Sequence, residues 1–254
     1  MGRSLSIAGG VAQRGRRLLL KFRFKLLPPM LVPLFFFAAF NGALSTVGDS
    51  KAFPYYDYTA FQFVFLLFMS SMFSGVFTAF DIASDFEGGM GNRMMLAAPQ
   101  RMAIVGGYLM VSLGRCLLAI AVVWAVALAV GMEVRGGAVD LVALNLLALL
   151  LNQAMTLYGA GVALRLRSVA AETIILLPVF LLLFLTPVFL PRQQLSDLVQ
   201  SLAGVNPLTA AMEAGRGFLA DDPVSVGLAF AAAIGLLILF AIWATLGLRK
   251  ATKG

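Results

Sequence analysis

Three ionisable side chains stand where a chain this apolar has little reason to keep them. Arg115 interrupts the apolar run 102–130, and Asp81 and Glu172 stand at the ends of two others. A guanidinium away from water needs a carboxylate or several carbonyls around it, so each such charge marks either function or a structural lock. Asp81 and Glu172 are the natural partners. A buried pair joining helices explains the set better than direct contact with a substrate. A second polar group, "SDFEGGMGNRMMLAAPQR" over 84–101, gathers Asp85, Glu87, Arg93 and Arg101 with three glycines and Pro99.

Other chemistry lacks its residues. There is no histidine and one cysteine, Cys116, so neither imidazole acid–base work nor a zinc site is expected. No G-x-x-x-x-G-K-[ST] loop is present to cradle ATP phosphates. No nucleophile–base pair or dinucleotide fingerprint occurs either. We therefore expect no catalytic residue and no metal.

The elements that must position these charges follow from composition. Of the 254 residues 61% are hydrophobic and only 12% charged, against about a quarter charged in a soluble domain. A bilayer-crossing helix takes about 20 mostly apolar residues. Runs of that order cover 26–48, 58–80, 102–130, 141–164, 173–191 and 224–248, which predicts six transmembrane helices with both termini on one side. Basic residues choose the side. Seven precede the first run, from Arg3 to Lys25. Arg93 and Arg101, Arg165 and Arg167, and Arg249, Lys250 and Lys253 share that face, making 14 of 19. Both termini and segment 84–101 are therefore expected in the cytoplasm. The charge of +7 is then a topological signal, and no nucleic-acid partner is expected.

Within the second run, Phe61, Phe65, Phe68 and Met72 fall on one helical face, with Phe180 and Phe184 of the fifth able to face the same space. Such a stripe serves plain packing, or a path for large apolar molecules. Asn145, Asn152 and Gln153 read as hydrogen-bond glue between helices. The stretch "QRGRRLLLKFRFKLL" over 13–27 mixes apolar and basic side chains at the first run, as an amphipathic helix at the headgroups does. A merely charged flank would look similar. Segment 191–223 carries helically spaced Leu195, Leu198, Val199 and Leu202, then a break at "GVNP", then 208–218. Two short helices dipping into the outer leaflet are expected there.

The combined pattern resembles the ABC-2 type exporter permeases. "DFEGG" followed by "LAAPQR" is similar to that family's cytoplasmic signature, and "TPVFLP" with "VNPLTAAMEAGR" to its outer one. Asn92 stands where an acid is common. The resemblance covers nearly the whole chain. It implies an all-α integral membrane fold, a single domain over 1–254, with six transmembrane helices, an N-terminal amphipathic helix (1–25), a cytoplasmic coupling helix (84–101) and outer re-entrant helices between spans five and six (191–223). It implies a homodimer, or a close heterodimer, with two copies of a separate ATP-binding subunit, which would hold ATP and Mg; no cofactor belongs to this chain, which is no enzyme on its own. Asp85, Glu87, Gly89, Arg93, Met94, Pro99 and Arg101 would carry coupling to the ATPase. The substrate path would lie at the dimer seam, lined by spans one, two and five. Within the family the small outer loops look most like the daunorubicin-resistance-type drug exporters, which implies a bacterial plasma membrane, a small hydrophobic drug or lipid as substrate, and antibiotic resistance through multidrug export. Export of a polysaccharide or lipid-linked glycan is the alternative within transport. A membrane-embedded enzyme or assembly protein is the alternative outside it.

Overall fold

The structure, a computed structural model, describes residues 2–21, 23–48, 53, 55–97, 101–192 and 195–251. Among them there is no strand. The helices are α1 (Gly2–Lys21), α2 (Pro28–Gly48), α3 (Tyr58–Glu87), α4 (Met90–Ala97), α5 (Met102–Ala129), α6 (Ala138–Leu166), α7 (Ala171–Phe184), α8 (Asp197–Val205), α9 (Pro207–Ala220) and α10 (Val226–Ala251), with a 3-10 turn at Arg23–Leu26 between the first two.

Among the described residues four helices are long and apolar enough to cross a bilayer: α3, α5, α6 and α10. Two of the expected six runs are shorter apolar helices, Pro28–Ala43 within α2 and Ala171–Phe184. The fifth run is helical only as far as Phe184, not to Pro191. Pro187 favours the stop, because it disfavours the helical conformation at Thr186 and has no amide to continue the ladder. At about 1.5 Å per residue, α7 spans about 21 Å, short of the roughly 30 Å hydrocarbon core. Pro178 inside α7 removes the amide that would have met the Ile174 carbonyl. The Tyr158 hydroxyl of α6 donates to that carbonyl at 3.1 Å instead.

α3 is the central helix: 89% of its most apolar stretch is buried, against 11% for α10. Asp57 starts α3 by accepting from Thr59 N and Ala60 N at 2.8 and 3.2 Å, which satisfies two of the amides a helix start leaves open. The same carboxylate accepts from Glu133 N, and the Tyr56 hydroxyl lies 2.9 Å from the Glu133 and Leu219 carbonyls. These contacts gather one end of the bundle, the α9 end. At the other, the α4 end, α3 stops at Gly88 beside the start of α5 and the turn after α6.

The core is glued by polar groups as well as packed. Asn152 Nδ2 of α6 donates to the Ser71 carbonyl of α3 at 2.9 Å and to Ser112 Oγ of α5 at 3.0 Å; Ser112 and Thr156 hydroxyls are 2.7 Å apart. Trp124 Nε1 donates to Asn145 Oδ1 at 3.0 Å, and Gln153 Nε2 to Asn152 Oδ1 at 2.6 Å. Gly75 makes this approach possible. A Cβ there would sit 2.6 Å from the Asn152 carbonyl oxygen and 2.9 Å from Thr156 N, both backbone atoms that cannot step aside. Gly75→Leu is therefore expected to part α3 from α6 and lower the detergent melting temperature by about 5–10 °C. Gly42→Leu, where a Cβ meets nothing within 4 Å, should leave it unchanged.

α1 does not stand apart as a flank. Its small residues run alongside the first half of α5. A Cβ on Gly107 would meet Val11 Cβ at 2.5 Å and the Ala8 carbonyl at 2.9 Å, and Gly15 abuts Val111. Small residues let two backbones approach this closely.

Candidate functional site

At the α4 end the chain leaves α3 by a turn that only glycine makes easily. Gly89 has φ +77°, and a Cβ on Gly91 would lie 2.6 Å from the Phe86 ring. α4 then turns Met95 inward at 8% exposure, leaves Met94 half-buried, and presents Asn92, Arg93, Ala97 and Leu96 outward, Leu96 at 88%. Arg101, just before α5, is exposed; Pro99 lies outside the described residues.

The two acids of "DFEGG" are tied to other parts of the chain. Asp85 takes both terminal nitrogens of Arg14, at 2.6 and 2.7 Å, and the Tyr108 hydroxyl at 2.5 Å. A bidentate guanidinium–carboxylate contact of this kind fixes orientation as well as charge, and the hydrogen bonds that Arg14 donates to Asp85 hold its guanidinium above its ordinary pKa. Asp85 thus joins α1, α3 and α5. Glu87 Oε2 accepts from Val169 N at 2.5 Å, which ties the exit of α3 to the turn between α6 and α7.

Deeper in, Arg115 Nη2 donates to Asp81 Oδ2 at 2.7 Å and Nη1 to Thr78 Oγ1 at 3.2 Å. The arginine is 1% exposed and the Asp81 side chain 26%. Glu172 lines the same cleft of about 400 Å³ with Phe24, Phe77 and Phe80. One cation and two carboxylates therefore line one cleft between α3, α5 and the start of α7, with Pro28 of α2 beside it.

Aromatic rings continue from that cleft toward the α9 end. Phe180 and Phe184 of α7 stack at 5.9 Å between centroids. Phe73 and Phe65 of α3 stand edge-on to them at 5.3 and 5.7 Å, and Phe36 of α2 meets Phe184 at 5.6 Å. Phe36 stacks on Phe40, which meets Phe189 at 4.5 Å. The stripe read from sequence is divided by the packing. Phe65 joins this wall. Phe61 lies under Arg216 of α9, whose guanidinium carbon sits 3.4 Å from the ring centroid, and Phe68 approaches Gly215. Phe61, Phe65, Phe68 and Met72 are all at most 2% exposed, so in the single chain they are enclosed and line none of the clefts named here. Among the described residues no group of three or more metal-ligating side chains converges.

The sequence model of the ABC-2 type transporter matches residues 8–219. The chain belongs to the ABC-2 type transporter family. It is a multi-pass membrane protein and the membrane subunit of an ABC exporter, and such a permease is not itself catalytic. Permeases of this family work with ATP-binding subunits. A comparison with curated protein sequences gives no match.

In this ABC-2 permease several contributors carry no sequence flag. Tyr108 is an unremarkable position in an apolar run, and Arg14 is one cation among seven before the first run. Phe36, Phe40 and Phe73 lie outside the 61–65–68–72 stripe. Arg216 belongs to the quoted "EAGR", yet its role as a lid on Phe61, donating to the Phe61 and Val188 carbonyls at 3.3 and 3.4 Å, depends on α9 folding back beside α3.

Proposed function

We propose that this permease works as one of two identical copies around a single export path, driven by two ATP-binding subunits docked on α4, and that its substrate is a hydrophobic drug or lipid. The observation that carries the substrate class is the aromatic wall of α2, α3 and α7, seven rings from Phe73 to Phe189 with no charged group among them. Stacked and edge-on rings accept varied flat apolar molecules without demanding a hydrogen-bond pattern. A glycan path would need polar groups interleaved with the rings.

Beside that wall, Leu31 and Phe35 of α2 and Leu177 and Leu181 of α7 are exposed, at 54–70%. This is the face we assign to the seam between copies, so that Phe65, Phe180 and Phe184 become wall residues of a path completed by the partner copy. The topology is six spans with both termini in the cytoplasm of a bacterial plasma membrane, α2 and α7 being the shorter two. α8 and α9 lie toward the outer side. α4 passes displacement from the ATPase into α3 and α5, with Arg93, Arg101, Met94 and Leu96 meeting the partner. Asp85, Glu87 and Gly89 hold α4 in register against α1 and the turn after α6.

The test is transport by the assembled complex. The tagged chain should purify with an ATP-hydrolysing subunit that carries a phosphate-binding loop. Proteoliposomes of that complex should move hydrophobic dyes in an ATP-dependent way. Phe184→Ala should change the relative uptake of different dyes severalfold at equal protein level. Uniform loss across dyes would assign Phe184 to packing, and transport confined to sugars or absent altogether would overturn the proposal.

A further inference from the structure

Arg115 also borders a second cleft, of about 620 Å³, where the C-terminal half of α1 parts from α5. Leu19 and Leu26 wall it on one side and Val111 and Leu118 on the other, with Gln13 and Arg16 at its edge and no acid among its lining residues. Arg14, half a turn earlier, is committed to Asp85, whereas Arg16 is exposed. Two glycines contribute to the lining, Gly9 and Gly114, and a Cβ on either meets nothing within 4 Å. The hollow is therefore not filled by neighbouring side chains. Arg115 spends its terminal nitrogens on Asp81 and Thr78, which leaves Arg16 as the cation of the lining open to a ligand. An apolar trough with one cation at its rim is complementary to an anionic amphiphile.

We propose that this cleft holds an anionic phospholipid of the surrounding bilayer. Its phosphate lies at Arg16, and one acyl chain runs along Leu19, Leu26 and Leu118. Cationic side chains at a membrane surface favour anionic headgroups, and hydrocarbon is the occupant that apolar walls select. Such a lipid would act as a wedge between α1 and α5. Because Arg14 of α1 holds Asp85, seating or losing the lipid would shift the exit of α3 and the register of α4. Binding is set by this chain's own residues, whatever the exported molecule is.

The experiment uses the full chain in phosphatidylcholine nanodiscs, doped with a phosphatidylglycerol probe carrying a diazirine midway along one acyl chain. After photolysis, adducts should concentrate in peptides covering 9–19 and 110–118. A phosphatidylcholine probe with the same chain should label those peptides about fivefold less. Arg16→Gln should remove that preference, as the loss of one surface cation predicts. Gly114→Leu should fill the hollow and abolish both adducts; if it fails to fold, as judged by gel filtration, Arg16→Gln decides alone. Equal labelling by both probes that Arg16→Gln leaves unaltered would mean annular lipid only. Adducts spread evenly over the exposed faces of α7 and α10 would mean the same. Either result overturns the proposal.

Discussion

Asp81→Leu is expected to lower the melting temperature of the purified permease by about 10 °C or more, and Arg115→Leu by much less. The two partners of this pair differ in what their loss leaves behind. Removing Asp81 strands a guanidinium that is 1% exposed, whereas removing Arg115 leaves a carboxylate whose side chain is 26% exposed and can hydrate. Breaking a buried ion pair from the side that leaves a buried charge costs about 3–5 kcal/mol, and a chain of this size loses about 2–4 °C per kcal/mol. Replacing both residues with leucine should recover much of the Asp81→Leu loss, since no charge then remains to be desolvated. Thermal unfolding in detergent, followed by tryptophan fluorescence, measures all three. Equal losses for the two single variants would show that Arg115 reaches water in the membrane.

Leu96→Glu is expected to leave the permease inserted and as stable as the parent, while weakening assembly with its ATP-binding subunits by about 30-fold. Leu96 is 88% exposed on α4, so its replacement disturbs no packing within the chain, and exposed substitutions of this kind change stability by about 0.5 kcal/mol or less. At the centre of an apolar contact a carboxylate costs about 2 kcal/mol or more, which sets the expected factor. Met95→Glu is the contrasting case. Met95 is 8% exposed and packs into the core, so a charge there should destabilise the chain itself. Titration of the ATP-binding subunit onto the permease in nanodiscs, with melting curves run in parallel, separates the two effects. Leu96→Glu assembling like the parent would remove α4 from the docking surface.

Some features were legible in the order of residues because they depend on local chemistry. Apolar runs of bilayer length must become helices, since every backbone amide and carbonyl in hydrocarbon needs a partner within its own segment. Gly88, Gly89 and Gly91 announce a tight exit from α3, and the positive φ at Gly89 is the conformation that glycine alone adopts cheaply. "GVNP" announces a break; Asn206 caps α9 by accepting from Leu208 N, with Pro207 at its first turn. The limits of this reading are equally local. Thr186–Pro187 stopped α7 earlier than its hydropathy implied, because hydropathy reports solvent preference while proline acts on the backbone.

Sequence by itself determined the class, most of the helices and the identity of the costly charges: a chain with an arginine inside one apolar run has to bring to it an acid from the end of another or lose stability. Tertiary structure decided which atoms meet. It gave Arg115 to Asp81, and Asp85 to Arg14 and Tyr108. It split one phenylalanine stripe between an aromatic wall shared with α7 and a cluster under Arg216. Helical periodicity can place side chains on a common face, but a helix buried on nearly all sides, as α3 is, has no single inward face to read. Which neighbour covers each arc depends on how α2, α5, α6, α7 and α9 stack around it. That stacking is set by close approaches such as Gly75 on Asn152 and Gly107 on Val11, between residues far apart in the chain.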